Sequence, residues 1–211
     1  VQVDPLTETY QLALEQYNSA SYASAYQFFL ELEKEDIAPH SILAIHTHYY
    51  KSLSAMQLFH NDALQLMIGF LETYPNSTLY DEASKRIADY YYQKRDYKNA
   101  VLYYETVDIA QLRKKDIAKY KFQYAYSLFE IGEMKSAASF FHDLISKGAD
   151  YKNQASYYFG YIAYTDGNYA TAKQYFLELL EQAMYVDELP LYVVQIYPVS
   201  YTHLTLPTML W

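Results

Sequence analysis

NYATAKQYF, residues 168–176, sets Ala172 three residues after a tyrosine and four residues before a phenylalanine. The same frame recurs as SYASAYQFF (21–29), FHNDALQLM (59–67), DYKNAVLYY (96–104) and EMKSAASFF (133–141). The anchoring alanines are Ala25, Ala63, Ala100, Ala137 and Ala172, separated by 38, 37, 37 and 35 residues. A period this regular marks one structural unit per segment, with loop length absorbing the difference. Around each anchor the chemistry is kept. Three residues before stand Tyr22, His60, Tyr97, Met134 and Tyr169, and four after stand Phe29, Met67, Tyr104, Phe141 and Phe176. Seven after stand Leu32, Phe70, Val107, Leu144 and Leu179. Such offsets define one face of an α-helix.

A second helical pattern precedes each anchor, as in EASKRIADYYYQ (82–93) and QASYYFGYIAYT (154–165). The breaks between the two patterns fall at Arg95-Asp96, Gly132 and Gly167-Asn168, so each unit is expected to be a helix hairpin. A small residue lets two helix axes approach to the short end of the usual 8–10 Å. Twelve residues before the anchor a second small residue appears, at Ala13, Ala88, Ala125 and Gly160. Lys51 breaks that rule, which predicts a shifted helix in the second unit with Ser52 or Ala55 at the close contact.

These residues resemble the tetratricopeptide repeat family: a small residue in the first helix, then a small residue and an aromatic in the second. The match is fullest in GYIAYTDGNYATAKQYFLEL (160–179), and the closing proline of the family is kept as Pro75. FLETYPNSTLYDEASKRIADYYYQKRDYKNAVLYYE (70–105) is similar to envelope-associated bacterial members, whose hairpins join through a Tyr-Pro-Asn-Ser type of turn. The family's first-helix tryptophan is missing. The resemblance covers 6–197 and implies an all-α, right-handed superhelical solenoid. It would hold about five hairpins (5–37, 38–75, 76–110, 111–148 and 149–185), the start of a sixth (186–197) and an irregular C-terminal tail. Thr78 with Asp81 is expected to cap the helix that follows the turn. Asn76-Ser77-Thr78 also fits a glycosylation sequon, but the turn and cap account for the same residues.

Composition agrees with helices and few turns: 28 tyrosines against 5 glycines and 6 prolines in 211 residues. A net charge of -9 argues against a nucleic-acid surface, which needs a basic face. With no cysteine there is no disulfide frame, thiolate metal site or catalytic thiol. No apolar run approaches the roughly 18 residues of a membrane helix, so membrane insertion is not expected. Val1 in place of Met reads either as a chain whose leader has been removed or as a piece starting within a longer gene. The resemblance implies the cell envelope or periplasm, while the missing cysteines leave the cytoplasm open as well.

PVSYTHLTLPT (198–208) departs from everything before it. Residues 198–211 hold two prolines, three threonines and no helical stripe, and a sixth anchor due near 207–210 does not arrive. They resemble an in-frame translation of a sequencing adapter, so 198–211 is expected to be non-native or disordered and the repeats to continue past Tyr197. A genuine extended C-terminal peptide is the other reading.

No constellation for catalysis, cofactor or metal binding is found. His46 and His48 lie two apart, on different helical faces, rather than in the i, i+4 arrangement of helical metal pairs. His60 lies on the packing stripe, His142 stands beside Phe141, and His203 belongs to the tail. Pairs such as Glu31 and Glu35, or Lys114-Lys115-Asp116, read as solvated helix faces. The family's ligand-facing positions map fifteen, eleven and eight residues before each anchor. They fall on Tyr10, Leu14 and Tyr17; Lys85, Asp89 and Tyr92; Phe122, Tyr126 and Phe129; and Tyr157, Tyr161 and Tyr164. The resemblance thus implies a non-catalytic scaffold holding a protein or peptide on a concave, tyrosine-rich face. Tyr92, Phe122, Tyr126, Phe129, Tyr157, Tyr161 and Tyr164 are the candidate contacts. Tyrosine offers wide contact area at low entropic cost, although the same rings could simply pack neighbouring helices. The alternatives are the non-catalytic arm of a larger enzyme, or a structural repeat protein that self-associates through its open end.

Overall fold

In each hairpin the chain reverses through the same backbone device, and that device sets the register of everything else. A computed structural model describes residues 4–148, 150–184, 187 and 189–201. Among them it forms eleven α-helices and no strand. The helices are α1 (Pro5–Asn18), α2 (Tyr22–Glu33), α3 (Ile42–Gln57), α4 (Ala63–Thr73), α5 (Tyr80–Gln93) and α6 (Tyr97–Tyr104). After a 3-10 turn at Ile109–Gln111 come α7 (Lys114–Glu130), α8 (Met134–Ser146), α9 (Lys152–Thr165), α10 (Tyr169–Glu181) and α11 (Leu189–Tyr201).

The odd-numbered helix of each pair ends on a left-handed residue: Ala20, Phe59, Arg95, Gly132 or Gly167, with φ of 61°, 56°, 59°, 88° and 77°. The next N–H reaches back five residues, Ser21 to the Gln16 carbonyl, His60 to Ala55, Asp96 to Tyr91, Glu133 to Leu128 and Asn168 to Ala163. This is the Schellman closure, which satisfies carbonyls that the helix end would otherwise orphan. Only two of the five use glycine, so three turns hold a side chain in a conformation that suits it poorly.

All five anchors are buried: Ala25, Ala100, Ala137 and Ala172 are 0% exposed and Ala63 is 3%. Phe29, Met67, Tyr104, Phe141 and Phe176, one turn on, are also 0% exposed. The small residues of the first helices follow the turn rather than the anchor. Counting seven back from each left-handed residue gives Ala13, Ser52, Ala88, Ala125 and Gly160, all buried. Phe59 lies one residue closer to its anchor than its four counterparts do, so the second hairpin has a turn shorter by one. That deletion moves the α3 frame by one position and seats Ser52 at the crossing, where its hydroxyl donates to the His48 carbonyl at 2.8 Å. Lys51, displaced to the neighbouring position, is 5% exposed and donates to Glu33 Oε2 at 2.6 Å.

Two expectations need correction. Thr78 and Asp81 form no capping pair: α5 begins after Leu79 with no side-chain cap. The Ser77 hydroxyl instead accepts from the Leu79 N–H at 3.1 Å, and Asp81 accepts from the Asp108 N–H at 2.7 Å. The Tyr80 N–H donates to the Ser77 carbonyl at 3.0 Å, which places Thr78 inside a turn one residue before the cap position at Leu79. In addition, α6 stops at Tyr104, so Val107 completes its stripe from a loop, still 8% exposed. The Thr106 hydroxyl donates to the Tyr103 carbonyl at 2.9 Å at that point.

The chain divides into two compact units, Val1–Leu112 and Arg113–Trp211. Within the first, consecutive helices pack in order from α1 to α6, and α1 also meets α3. Within the second, consecutive helices pack from α7 to α11. Pro190 falls in the first turn of α11, where its missing N–H costs nothing. The α11 backbone is helical through Tyr201, past the point at which the sequence predicts irregularity from residue 198; residues 202–211, with His203, lie outside the described residues. No helix among the described residues is long and apolar enough to cross a membrane.

Candidate functional site

Of the seven candidate residues, six lie in the second unit. Phe122, Tyr126 and Phe129 recur at intervals of four and three along α7, which puts them on one face. Their rings stack in series, with centroids 6.3 Å apart for Phe122 and Tyr126 and 6.4 Å for Tyr126 and Phe129. Tyr151 stacks on the outer end of this row, 4.9 Å from Phe122. Tyr158, from α9, meets all three rings at 6.2, 5.1 and 5.2 Å and lies nearly parallel to the buried Phe141 at 5.5 Å.

Tyr161 continues the series edge-on to Phe129 at 5.7 Å. Tyr161 and Tyr164 then both meet Tyr192 of α11, at 5.8 and 5.4 Å, with Phe176 beneath at 5.6 Å. The Tyr164 hydroxyl donates to Gln195 Oε1 at 2.6 Å. Tyr157 meets Tyr158 edge-on at 5.2 Å. Each of these six candidates is half-buried. Aromatic pairs in such geometries contribute about 0.5–1.5 kcal/mol apiece beyond burial, so the surface is ordered by the rings themselves.

The sequence missed Tyr158 and Tyr192, which hold the row together. Tyr158 sits between Ala155 and Ile162, both buried, at intervals of three and four. That inner stripe of α9 was the signal available for it. Tyr192 is three residues after Leu189 and four before Ile196, both 0% exposed, and carries the same signal in α11.

In the first unit Tyr92 meets Tyr97 edge-on at 5.9 Å and remains half-buried. The two other family positions on its helix are consumed internally. Lys85 donates to Asp89 Oδ2 at 2.6 Å, and the Tyr104 hydroxyl donates to Asp89 Oδ1 at 2.8 Å. Lys85 and Asp89 are only 4% and 8% exposed, so neither presents its charge to a ligand. Tyr10 faces His46 Nδ1 at 2.8 Å, and burial raises its hydroxyl pKa to about 12. Tyr17 is set edge-on against Tyr22 and Tyr50 at 5.4 and 5.3 Å.

The histidines among the described residues are aromatic packing partners. His48 stands edge-on to Phe70 and Tyr74, both at 5.8 Å, and burial with the neighbouring Lys51 ammonium lowers its pKa. Burial lowers that of His46 too. His60 meets Tyr26 at 4.8 Å and His142 meets Phe159 at 5.7 Å. Among the described residues no group of three or more His, Cys, Asp or Glu side chains could hold a metal ion.

No protein-family model and no curated protein matches the sequence. Solved structures do. MamA from Desulfovibrio magneticus, from its residue 41 onward, is similar with a TM-score of 0.62 and 16% identity, covering 89% of this chain and 100% of that one. The C-terminal part of a TPR repeat-containing protein from Cytophaga hutchinsonii gives 0.66 and 17%, covering 94% and 78%. A tetratricopeptide repeat protein from Parabacteroides merdae gives 0.64 and 12%, covering 92% and 73%. Joined to five Schellman-closed hairpins with buried alanine anchors, these likenesses show that the chain has the all-α tetratricopeptide-repeat fold.

Proposed function

We propose that the chain is a non-catalytic scaffold that binds a partner protein or peptide. The contact surface is the half-buried aromatic row of the first helices, Phe122, Tyr126, Phe129, Tyr157, Tyr161 and Tyr164, with Tyr92 as its counterpart in the first unit. One observation carries the reading: these rings are fixed in position by their neighbours, yet each keeps part of its surface in solvent. A pre-ordered aromatic surface binds at low entropic cost, and tyrosine adds a hydroxyl for orientation. The net charge of -9 favours neutral or basic partners.

Selection from a displayed peptide library tests this. Peptides enriched on the parent protein are expected to lose binding to the triple variant Tyr126→Ser, Tyr161→Ser, Tyr164→Ser while far-UV circular dichroism stays near that of the parent. Because Tyr161 and Tyr164 also seat Tyr192, the single variant Tyr157→Ser, at a ring set edge-on to Tyr158, is measured beside it. Peptides that bind both variants as tightly as the parent, or a loss of helicity with no separable binding defect, would leave the rings as packing alone.

A further inference from the structure

The first unit holds an open cavity of about 290 Å³ where α4, the turn after it, the start of α5 and the end of α6 meet, lined by Ile68, Leu71, Glu72, Pro75, Tyr80 and Tyr103. Ile68 and Leu71 come from α4, Tyr80 opens α5, and Tyr103 lies near the end of α6. Tyr91 lies nearly parallel behind Tyr103, with centroids 5.8 Å apart and planes 19° apart, so the Tyr103 ring is held from the back. Glu72 is the charged member of the lining; it is exposed, and no lysine or arginine pairs with it among the described residues. Leu102, beside Tyr103, is 55% exposed at the same helix end.

Two tyrosine rings, an apolar floor and one unpaired carboxylate are the components that bind an alkylammonium group. The ring faces attract the cation through their quadrupoles, the floor takes the methylene stem, and the carboxylate meets the charge. Burial first, then Tyr91, Glu72 and Tyr80, raise the pKa of the Tyr103 hydroxyl, which places Glu72 near that ring. We infer that this cavity is a docking site for a lysine side chain of a peptide or protein partner, with Tyr80 and Tyr103 flanking the stem and Glu72 pairing with the ammonium. The occupant follows from charge complementarity, since a neutral side chain would leave Glu72 unanswered and an acidic one would face it. The site lies on residues other than the aromatic row and stands or falls independently of it.

The probe is an acetylated, amidated pentapeptide, Gly-Leu-Lys-Leu-Gly, titrated into the whole chain with tyrosine ring resonances followed by NMR. Its partners are the same peptide with norleucine, which keeps the stem and removes the ammonium, and with glutamate. Saturable shifts at Tyr80 and Tyr103 are expected for the lysine peptide, with binding weakened about threefold to tenfold in the norleucine peptide and in Glu72→Gln. Tyr103→Leu, which keeps the apolar volume, is expected to weaken the lysine peptide more than the norleucine one. Equal binding of lysine and norleucine peptides, or shifts confined to Tyr126, Tyr158 and Tyr161, would overturn the assignment. Loss of binding at the aromatic row with the Tyr80 and Tyr103 shifts intact would defeat the scaffold surface proposed above and leave this site standing.

Discussion

Gly160 is the one glycine at the crossing position where the other hairpins carry alanine or serine, and its replacement by alanine gives a sharp test of how these hairpins close. A Cβ at this site would lie 2.6 Å from Cε1, 3.0 Å from Cδ1 and 3.4 Å from Cζ of Phe176. Carbon pairs are comfortable at about 3.5–4.0 Å, so the ring would have to retreat by roughly 1 Å. It has nowhere to go: Phe176 is 0% exposed and is packed within a cluster that includes Leu179, Leu189 and Val193. Overpacking of this kind costs about 1–3 kcal/mol. Alanine returns about 0.5–1 kcal/mol as the better helix former, leaving a net loss of about 1 kcal/mol at the middle of both ranges. For a chain of this size that lowers the thermal midpoint by about 2–4 °C. Gly69→Ala, in α4, is the control, because its Cβ would meet nothing within 4 Å and the helix gain of about 0.5–1 kcal/mol should appear undiminished. Thermal unfolding by circular dichroism measures both, and amide exchange in α9 and α10 localises the first effect. In the double variant Gly160→Ala, Phe176→Leu the two losses should be less than additive, since the smaller side chain removes the clash. A Gly160→Ala protein as stable as the parent would show that the close crossing is not a constraint and would undo the account of the small-residue register.

The left-handed turns make a second prediction: Phe59→Gly stabilises by about 0.5–1 kcal/mol, because Phe59 is 89% exposed and loses little burial while its φ of 56° is released from strain. Phe59→Ala should leave stability nearly unchanged by urea titration, since alanine pays the same backbone cost; a gain with alanine as large as with glycine would place the strain in the ring instead. The third concerns pH. Burial holds His46 and His48 below their ordinary pKa of 6.5, so below that pH the unfolded chain binds more protons than the native one. Stability is therefore fully present above 6.5, falls as pH drops toward the lowered native values, and levels off beneath them. Replacing both residues with glutamine should flatten that limb in a series of urea midpoints, and an unchanged slope would assign it to carboxylates.

What the sequence makes legible here is what a single hairpin needs. An alanine where two helices cross, an aromatic one turn later and a reversal between them are local demands, and they recur at a spacing that can be counted. Lys51 looked like an exception only because the count ran from Ala63; counted from Phe59, the frame is intact and Ser52 fills the seat. The deletion itself left no compositional mark, since FHND lacks the glycine that advertises the turn at Gly132 and Gly167. The failed cap has the same origin. Thr78 and Asp81 have suitable chemistry at suitable spacing, but the helix start was moved by a turn that Ser77 stabilises from within.

Which faces remain free is a different kind of question, because it depends on how one hairpin fills the space left by the next. The third hairpin shows why position alone misleads. Its aromatic at the fourth place after the anchor is Tyr104, where three other hairpins have phenylalanine and one has methionine, and the added hydroxyl must find an acceptor once it is buried. Asp89 supplies it, and Lys85 neutralises Asp89, so one extra oxygen draws both side chains into a buried network in which neither presents its charge. In the second unit the equivalent places carry rings that stay half-buried. In the third hairpin the buried Tyr104 hydroxyl thus fixes how Lys85 and Asp89 are used, and Tyr104→Phe with Lys85→Leu and Asp89→Leu would remove that demand together with the charged pair.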